Sequence, residues 1–472
     1  AQTAPLARRK PTRQALHNIY FDTPTRQLRQ QRVALRLRQV TRSAAEHASA
    51  EWVQTFKTAA RTDSALSQRG EWETPVPSPA LSHEALQATP WPDIDPDASL
   101  FSDLAPVFET HFERTVWLVR RRDRSVVEVA LDIGQIRVGP ICAPLCELEL
   151  ELKAGAPSAL FEVAAQIAQT VAVLPFSASK AERGYALAQG SLGAALHAQA
   201  PALPARRPLA DTVQPALRAM FTQFTSNLHS LLNSEDVEVV HQARVGWRRF
   251  KSARRLLRPV LTAPPPWQAL GTLLSCLDRL RDLDVAHSET LPPLAGRYTA
   301  GDAQRMAVWQ QMAEALAQEG QVQRKAVRYA LQDPAVGACL LATSQWLEEL
   351  ARPVDSDDPT KPRAKRWFHD ELTRLHRRLQ RVHKTADTAE LRHRARILAK
   401  ALRYNLEAFQ ELMPKKRGQR WVKQASTLQD RMGAARDALR AAELVAELAL
   451  DRGLAEFLRG FALAGQMPEP YN

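Results

Sequence analysis

Two spacings of apolar residues divide the chain into two parts. In residues 1–190, apolar and polar residues alternate over short stretches, a spacing that predicts antiparallel strands. In residues 209–472, apolar residues recur at intervals of three and four, which predicts helices. Residues 191–208, between the two parts, are rich in Ala and Pro, as is typical of a linker. We therefore predict an α+β protein with an N-terminal antiparallel β domain and a C-terminal all-α domain.

The helical part is expected to contain a series of helices separated by proline-containing breaks. An N-terminal helix, a basic helix and a helix that ends in an acidic motif occur in the same order twice, which indicates two related halves. The predicted helices begin near Leu209, Asp236, Trp267, Gly301, Gln321, Lys365, Ala389, Lys416 and Arg436.

Charges of one sign are grouped strand by strand in the β part. Residues 32–38 place only arginines on one strand face, and residues 147–151 place only glutamates on another. A single such strand is most simply a sheet with one solvated face, but like charges on one face repel unless a ligand neutralises them. Phosphates would neutralise the arginines and a divalent cation the glutamates. Acidic and basic walls inside one antiparallel barrel would suit phosphoryl transfer to water.

Two helices carry cations at matching positions. Each pattern begins with a histidine and places cations three, seven and ten residues later, so that the side chains share one helix face. The repeated spacing predicts a duplicated surface for a ligand with regularly spaced anions, and the alternative is a pair of solvated helix faces without a ligand. The residues are His241, Arg244, Arg248, Lys251 and Arg255 in the first helix, and His393, Arg396, Lys400 and Arg403 in the second.

The net charge narrows the choice of partner. The 472-residue chain has a formal charge of +13, which favours nucleic acid, an acidic membrane surface or polyphosphate. No run of about 18 apolar residues is present, so we expect no membrane span. Single-strand binders interleave aromatic residues with cations, whereas Trp247 and Phe250 lie off the basic stripe, which argues against nucleic acid. Four scattered cysteines favour a cytoplasmic protein.

The β part resembles the CYTH domain, the fold of the triphosphate tunnel metalloenzymes. The resemblance rests on Tyr20-Phe-Asp-Thr-Pro24, Leu35-Arg36-Leu-Arg38, Thr55-Phe-Lys57, Arg69-Gly-Glu71, Leu131-Asp132, the Glu147–Glu151 strand and Ser179-Lys180-Ala-Glu-Arg183-Gly-Tyr185. It implies a tunnel of about eight antiparallel strands. It also implies hydrolysis of inorganic, thiamine or nucleotide triphosphates, or cyclisation of ATP, with Mg²⁺ or Mn²⁺.

The same resemblance implies roles for individual residues. Phosphates would be contacted by Arg36, Arg38, Lys57 and Arg69, and by Arg114, Lys180 and Arg183. The metal would be bound by Asp132, Glu147, Glu149 and Glu151, with Glu128 as a further companion. Glu149 and Glu151 are the candidates for a catalytic role.

One part of the family pattern is not found in this sequence. The family opens with a strand of pattern Glu-x-Glu-x-Lys, and none of the 19 residues before Tyr20 carries it. Glu149-Leu-Glu151-Leu-Lys153 spells that pattern but corresponds to the late glutamate strand. Either the opening strand has been trimmed or this chain lacks part of its metal site. In the second case two glutamates and a lysine of the tunnel are missing, which argues against hydrolysis.

The helical part resembles the CHAD domain, through its His-x-x-Arg-Val and Arg-Asp-Leu-Asp segments and its Lys400-Ala-Leu-Arg403-Tyr404 run. The resemblance implies two pseudo-symmetric four-helix bundles that bind inorganic polyphosphate along a basic channel. The two His-led stripes would line this channel, and further candidates are Arg249, Arg374, Arg377, Arg378 and Arg381.

Three functional hypotheses remain open from the sequence. The first is a metal-dependent inorganic triphosphatase, or short-chain polyphosphatase, fused to a polyphosphate-binding domain. The second is a non-catalytic polyphosphate-binding protein, recruited to polyphosphate granules, whose tunnel is degenerate. The third, nucleic-acid binding, is permitted by the net charge alone, and nucleotide cyclisation is a weaker variant of the first.

Overall fold

The computed structural model describes residues 3–42, 51–58, 66, 70–200, 203, 209–350, 364–386, 388–431, 433–448 and 450–464. Its contacts divide the chain into two compact units. The first comprises Ala1–Val171 and Ser177–Leu192, and the second comprises Ala172–Phe176 and Gly193–Asn472.

The first unit is built on one antiparallel sheet, which confirms the predicted mixed α+β fold class. Seven strands lie within its described residues, in the order β4-β3-β2-β1-β5-β6-β7. The strands are β1 Thr12–Asp22, β2 Ala34–Arg42, β3 Glu51–Lys57, β4 Glu71–Val76, β5 Ala105–Arg120, β6 Val126–Val138 and β7 Ile141–Ala154. The helices of this unit are α1 Gln27–Gln30, α2 His83–Leu86, α3 Trp91–Ile94, α4 Ser99–Ser102, α5 Ser158–Ala168 and α6 Lys180–Ala188.

Helices cover the two ends of one sheet face, which we call the outer face. On β5–β7, Trp117 and Val127 pack against Val163 of α5. On β2 and β3, Leu35 and Phe56 pack against residues of the segment that contains α2 to α4. Side chains alternate between the faces along each strand, so the charged residues of the motifs lie on the opposite, inner face.

Helix α6 is fixed in place by its first turn and by close packing. Ser179 and Glu182 form a capping box, which satisfies backbone N–H groups at the start of the helix. A Cβ at Gly184 would lie 2.1 Å from Cε2 of Phe108, so only glycine permits this close approach to β5. The Tyr185 hydroxyl donates to Asp22 at 2.8 Å, and Asp22 also accepts from the backbone N–H groups of the turn after β1.

The second unit is helical. Its helices are α7 Leu209–Ser230, α8 Val237–Leu257, α9 Gly271–Val285, α10 Ala295–Thr299, α11 Ala303–Ala330, α12 Pro334–Glu349, α13 Ala364–Lys384, α14 Ala389–Ala408, α15 Lys415–Arg431, α16 Ala434–Glu447 and α17 Arg452–Ala464. Short 3-10 turns occur at Arg258–Val260, Gln268–Leu270, Pro292–Leu294 and Gln410–Leu412, and a π-helical turn at Ala286–Thr290. None of the helices in the described ranges is both long and apolar enough to cross a membrane.

One predicted helix boundary is wrong. The sequence predicts separate helices from Gly301 and from Gln321, but α11 runs unbroken through both Gly320 and Gln321. A glycine inside a helix costs about 1 kcal/mol relative to alanine, which the rest of a 28-residue helix can absorb. The helices α10, α12 and α17 have no counterpart among the predicted starts.

Two close contacts position the basic helix α8. Gly246 lies against the backbone of Phe224 in α7, and a Cβ there would come within 2.8 Å of the Phe224 nitrogen. On another side, Ser252 accepts a hydrogen bond of 2.9 Å from Asn405 of α14. The two helices with the repeated cation spacing are therefore direct neighbours.

Candidate functional site

Three carboxylates meet on the inner face of the sheet. Asp132 on β6 lies opposite Glu147 on β7, and Glu149 is the next inward-facing residue of β7. One oxygen from each of the three lies within 4.8 Å of the others. Asp132 is fully buried, whereas Glu147 and Glu149 are progressively more exposed. We call these three residues the carboxylate cluster.

Three cations of the protein face this carboxylate cluster. The Lys180 Nζ lies 2.7 Å from Asp132 and 2.9 Å from Glu149, and it also contacts Glu147. Arg114 donates two hydrogen bonds of 2.7 Å to Asp132 and one of 2.5 Å to Glu149. Arg183 donates to Glu147 at 3.0 Å. The capping box places Lys180 and Arg183 in the first turns of α6, where both side chains reach β7.

The ion pairs keep these groups charged. Burial raises the pKa of Glu149, but Lys180 and Arg114 outweigh burial and lower it to about 2. Burial lowers the pKa of Lys180, whereas Glu149, Glu147 and Asp132 produce a net increase. Glu149 is therefore anionic at neutral pH, as binding of a hard cation requires.

A second group of cations lies on β2 and β3. Arg36 and Arg38 project inward from β2, and Lys57 from β3; we call these three the arginine–lysine cluster. Lys57 pairs with Glu71 at 2.7 Å, and Arg38 lies 3.5 Å from Glu73. Arg38 also donates to Asn18 at 2.9 Å, and Asn18 in turn donates to Thr110 of β5 at 2.9 Å.

Arg36 is buried, and two of its nitrogen atoms have no hydrogen-bond acceptor. Its Nε and Nη2 make no hydrogen bond, and the nearest carboxylate oxygens, of Glu71 and Glu73, lie 3.6 and 3.7 Å from Nη2. Burial and the positive charge of Arg36 lower the pKa of Lys57 to about 8. Buried donors without a hydrogen bond and a lysine of lowered pKa both favour the binding of an anion.

The structure brings most of the predicted residues of this unit together. Glu151 is separate from the carboxylate cluster, because its side chain is 64% exposed and pairs with Lys153 at 2.8 Å. Arg69 lies outside the described residues. Glu71 and Glu73 join the arginine–lysine cluster although neither was predicted as a site residue, and the alternation of charge along β4 was the signal that could have identified them.

On the helical unit, the first basic stripe is anchored by an acid that the sequence did not indicate. Arg244 is buried, donates to the Leu277 carbonyl at 3.0 Å and pairs with Asp278. Arg248 lies 3.8 Å from the same Asp278 carboxylate. Asp282, in the acidic motif of α9, pairs with Arg440 at 2.9 Å.

The two basic stripes converge where α8 and α14 meet. Burial and the nearby Arg396, Arg248 and Arg436 lower the pKa of Lys400 to about 7. The pKa of Arg396 is lowered by burial and by Arg436 and Arg248. These four cations form what we call the cationic helix surface. Asp437 partly offsets their mutual repulsion.

The remaining predicted cations of the helical unit have varied surroundings. Arg249 is only 3% exposed and donates to Gln223 at 2.9 Å, so it lies inside the unit and not on the stripe. Arg403 lies 3.8 Å from Glu407 and stacks over Tyr404, and Lys251 stacks over Trp247. His241 is half-buried, with a pKa lowered by burial and Arg281. Six further members are exposed, namely Arg255, Arg374, Arg377, Arg378, Arg381 and His393.

Comparison with known families gives the class of protein. Residues 6–185 match the CYTH domain, and residues 215–446 match the CHAD domain. The chain therefore belongs to the proteins in which a CYTH domain is followed by a CHAD domain, as the sequence motifs predicted.

Individual relatives agree with each half. An inorganic triphosphatase of Haemophilus influenzae (strain ATCC 51907 / DSM 11121 / KW20 / Rd) is 36% identical over 180 residues, which are 36% of this chain and 46% of that protein. The chain thus spans less than half the length of this relative. The crystal structure of the CHAD domain from the plant Ricinus communis matches 58% of this chain and 91% of its own, with 29% identity and a TM-score of 0.50.

Proposed function

We propose that the CYTH domain hydrolyses inorganic triphosphate, or trims short polyphosphate, and that the CHAD domain binds long polyphosphate. The proposal for the CYTH domain rests on one observation: a basic and an acidic cluster lie on the same face of the sheet. The arginine–lysine cluster offers buried, unsatisfied donors, and the carboxylate cluster offers converging oxygen ligands. The similarity to an inorganic triphosphatase supports this assignment.

The charges of the two clusters are close to balance. Six cations pair with five carboxylates, so neither a lone phosphate chain nor a lone metal ion would leave the inner face neutral. A triphosphate that enters together with a divalent cation comes closer to neutrality than either ligand alone. We infer that Arg36, Arg38 and Lys57 bind the phosphates and hold them in position, which is the main contribution a protein makes to phosphoryl transfer.

The carboxylate cluster fits Mg²⁺ or Mn²⁺. All three ligands are carboxylate oxygens, the donors that these cations prefer. Asp132, Glu147 and Glu149 would hold the ion, which when bound neutralises charge that develops on the phosphoryl oxygens. Lys180 and Arg114, released from the carboxylates, would then be free to donate to phosphate oxygens.

The cationic helix surface supports the second part of the proposal. Arg248, Arg396 and Lys400 place positive charges close together, where they repel one another, and a bound polyanion would offset this repulsion. Of the aromatic residues that the structure describes near these cations, Trp247 and Tyr404 are buried and so are not available to stack on a base. If single-stranded DNA displaced polyphosphate from the protein at equal phosphate concentration, this preference would be overturned.

The direct test of catalysis is phosphate release from tripolyphosphate by the protein with its full natural N-terminus, in the presence of Mg²⁺. We expect release to need the metal and to fall at least about 100-fold in Glu149→Gln, because a ligand of the metal is lost. The matched control is Glu113→Gln on the outer face of β5, which should behave as the natural protein. Equal rates in Glu149→Gln and the control would refute the assignment.

The alternative is a non-catalytic polyphosphate-binding protein. One observation favours it: the Lys180 ammonium already lies among the three carboxylates, where it neutralises them without a metal. Polyphosphate binding without any phosphate release from tripolyphosphate would decide for this alternative. In either case we propose a cytoplasmic location, and the alternative places the protein at polyphosphate granules.

A further inference from the structure

A group of two histidines and one glutamate lies on the outer face of the sheet. His17 on β1 is directly opposite His111 on β5, and Glu109 is the preceding outward-facing residue of β5. The intervening residue Thr110 and the neighbour Asn18 face inward, where they form the hydrogen bond near Arg38. The group is therefore separated from the carboxylate cluster by the thickness of the sheet.

The three side chains converge on one point. The Nε2 atoms of His17 and His111 lie 3.1 and 2.9 Å from the same Glu109 oxygen, Oε2. The two imidazole rings stack with centroids 4.0 Å apart and an interplanar angle of 17°. One ligand atom from each residue lies within 4.8 Å of the other two.

The group is open to solvent but not loose. The side chains of His17, Glu109 and His111 are 26, 39 and 39% exposed, so an ion could reach them without rearrangement of the fold. Both strands continue their pairing through these positions, which fixes the Cα atoms of the two histidines. Arg137, opposite Glu109 on β6, turns its Nε to the Gly139 carbonyl.

We propose that His17, Glu109 and His111 bind a divalent transition-metal ion such as Zn²⁺. A tetrahedral ion with bonds of about 2.0–2.1 Å separates its ligand atoms by about 3.3 Å, close to the distances present here. Imidazole nitrogen selects zinc, nickel, cobalt and copper over magnesium, so this site differs in metal class from the all-carboxylate cluster. Three protein ligands leave one coordination position for water, and the ion would link β1 to β5.

The metal-free explanation is a shared hydrogen bond. In that case each Nε2 carries a proton and donates it to Glu109, whose pKa is lowered by these contacts although burial raises it. Metal binding requires both Nε2 atoms to be deprotonated. The two explanations therefore predict opposite results when Zn²⁺ is added.

The test is Zn²⁺ binding by the untagged full chain in the Glu149→Gln background, measured by competition with a chromogenic chelator in excess Mg²⁺. We expect His17→Asn and His111→Asn each to lower Zn²⁺ affinity at least about tenfold, since each removes a ligand. Gln39→Ala is the matched control, because Gln39 pairs with His17 in register on the same face but is not a ligand. Equal Zn²⁺ affinity in all these proteins would overturn the proposal.

A second measurement locates the ion. The Trp52 ring lies edge-on to His17, with ring centroids 6.4 Å apart. Bound Ni²⁺ or Cu²⁺ should quench the fluorescence of this tryptophan, and the quenching should disappear both in Trp52→Phe and in His17→Asn. Quenching that persists unchanged in His17→Asn would show that the ion binds elsewhere.

Discussion

Lysines of lowered pKa mark both proposed phosphate sites. Lys57 has a pKa of about 8 and Lys400 one of about 7, in each case because burial and neighbouring arginines disfavour the charged form. A bound polyanion would favour the charged form against both effects, so binding and protonation are linked. Such lysines are only partly charged near physiological pH in the free protein, and a bound polyanion would favour their charged form.

Lys400 gives polyphosphate binding a pH dependence of known sign. Below pH 7 the free protein already carries the proton, and above pH 7 the ligand must supply the energy to add it. Affinity should therefore rise by up to about tenfold as pH falls from 8 to 6. Titrations at the two pH values test this. Lys400→Arg, which stays charged, should show a smaller change, whereas an identical change in both proteins would contradict the role of Lys400.

Glu149 and Glu151 are two glutamates on one strand face with different expected roles. Both fit the family pattern, but the structure places only Glu149 with Asp132 and Glu147. We expect Glu149→Gln to raise the Mg²⁺ or Mn²⁺ concentration needed for half-maximal activity, because it removes a carboxylate ligand. Glu151→Gln should leave this concentration within about twofold of the natural value. Metal titrations of the two variants test this. A larger increase in Glu151→Gln than in Glu149→Gln would show that the ion binds further along β7.

The sequence could indicate these residues only as far as their spacing allowed. Strand alternation places Arg36 and Arg38 on one face, and the structure confirms that they share surroundings with Lys57. It could not reveal that Asp278 anchors Arg244, because these residues lie on different helices and meet only through packing. For the same reason, the burial of Arg249 was not visible from its place beside Arg248.

Helix α6 and the pair α8–α14 show how whole elements position charges. The first turn of α6 presents Lys180 and Arg183 to the carboxylates, while Gly184 and Tyr185 fix the helix to β5 and to the turn after β1. The crossing of α8 and α14 brings two separate stripes into one surface. The hydrophobic pattern predicted α8 and α14 but not their crossing, which depends on contacts such as that of Asn405 with Ser252.

The capping box of α6 should affect both stability and substrate binding. Ser179→Ala removes the acceptor for the Glu182 N–H, at 3.2 Å, and should cost about 1 kcal/mol of unfolding free energy. Fraying of the first turn should also raise the KM for tripolyphosphate, because Lys180 and Arg183 lose their fixed positions. Denaturant unfolding and kinetics check both effects. Ser191→Ala, just beyond the other end of α6, is the control, and an equal KM in both variants would argue against the proposed positioning.

Salt dependence distinguishes the cationic helix surface from the exposed face of α13. Each cation that contacts a polyanion contributes about one unit to the slope of log K against log salt, because it releases a counterion. Arg396→Ala should therefore reduce the slope by about one. Arg374, which is exposed and paired with Glu371, should change it little when replaced by alanine. Affinities at several salt concentrations test this, and the opposite result would move the binding surface to α13.

At the scale of the whole molecule, we propose that two unlike folds bind one class of ligand. The mixed α+β fold class and both families could be predicted from sequence because their motifs recur at fixed spacings. The continuity of α11 could not be predicted from sequence. Glycine often ends a helix, but it is also tolerated inside a helix when the flanking turns stabilise it. The outer-face histidines were also missed, since they become neighbours only through the pairing of β1 with β5, which are far apart in sequence.

The central claim is that each unit binds condensed phosphate with its own set of basic residues. The most direct measurement is calorimetric titration of the full chain with tripolyphosphate plus Mg²⁺ and with long-chain polyphosphate, repeated on Arg36→Ala and on the double variant Arg396→Ala/Lys400→Ala. We predict that Arg36→Ala loses at least about tenfold in tripolyphosphate affinity and keeps long-chain binding, and that the double variant shows the reverse. Unchanged affinity for both ligands in both variants would contradict the account.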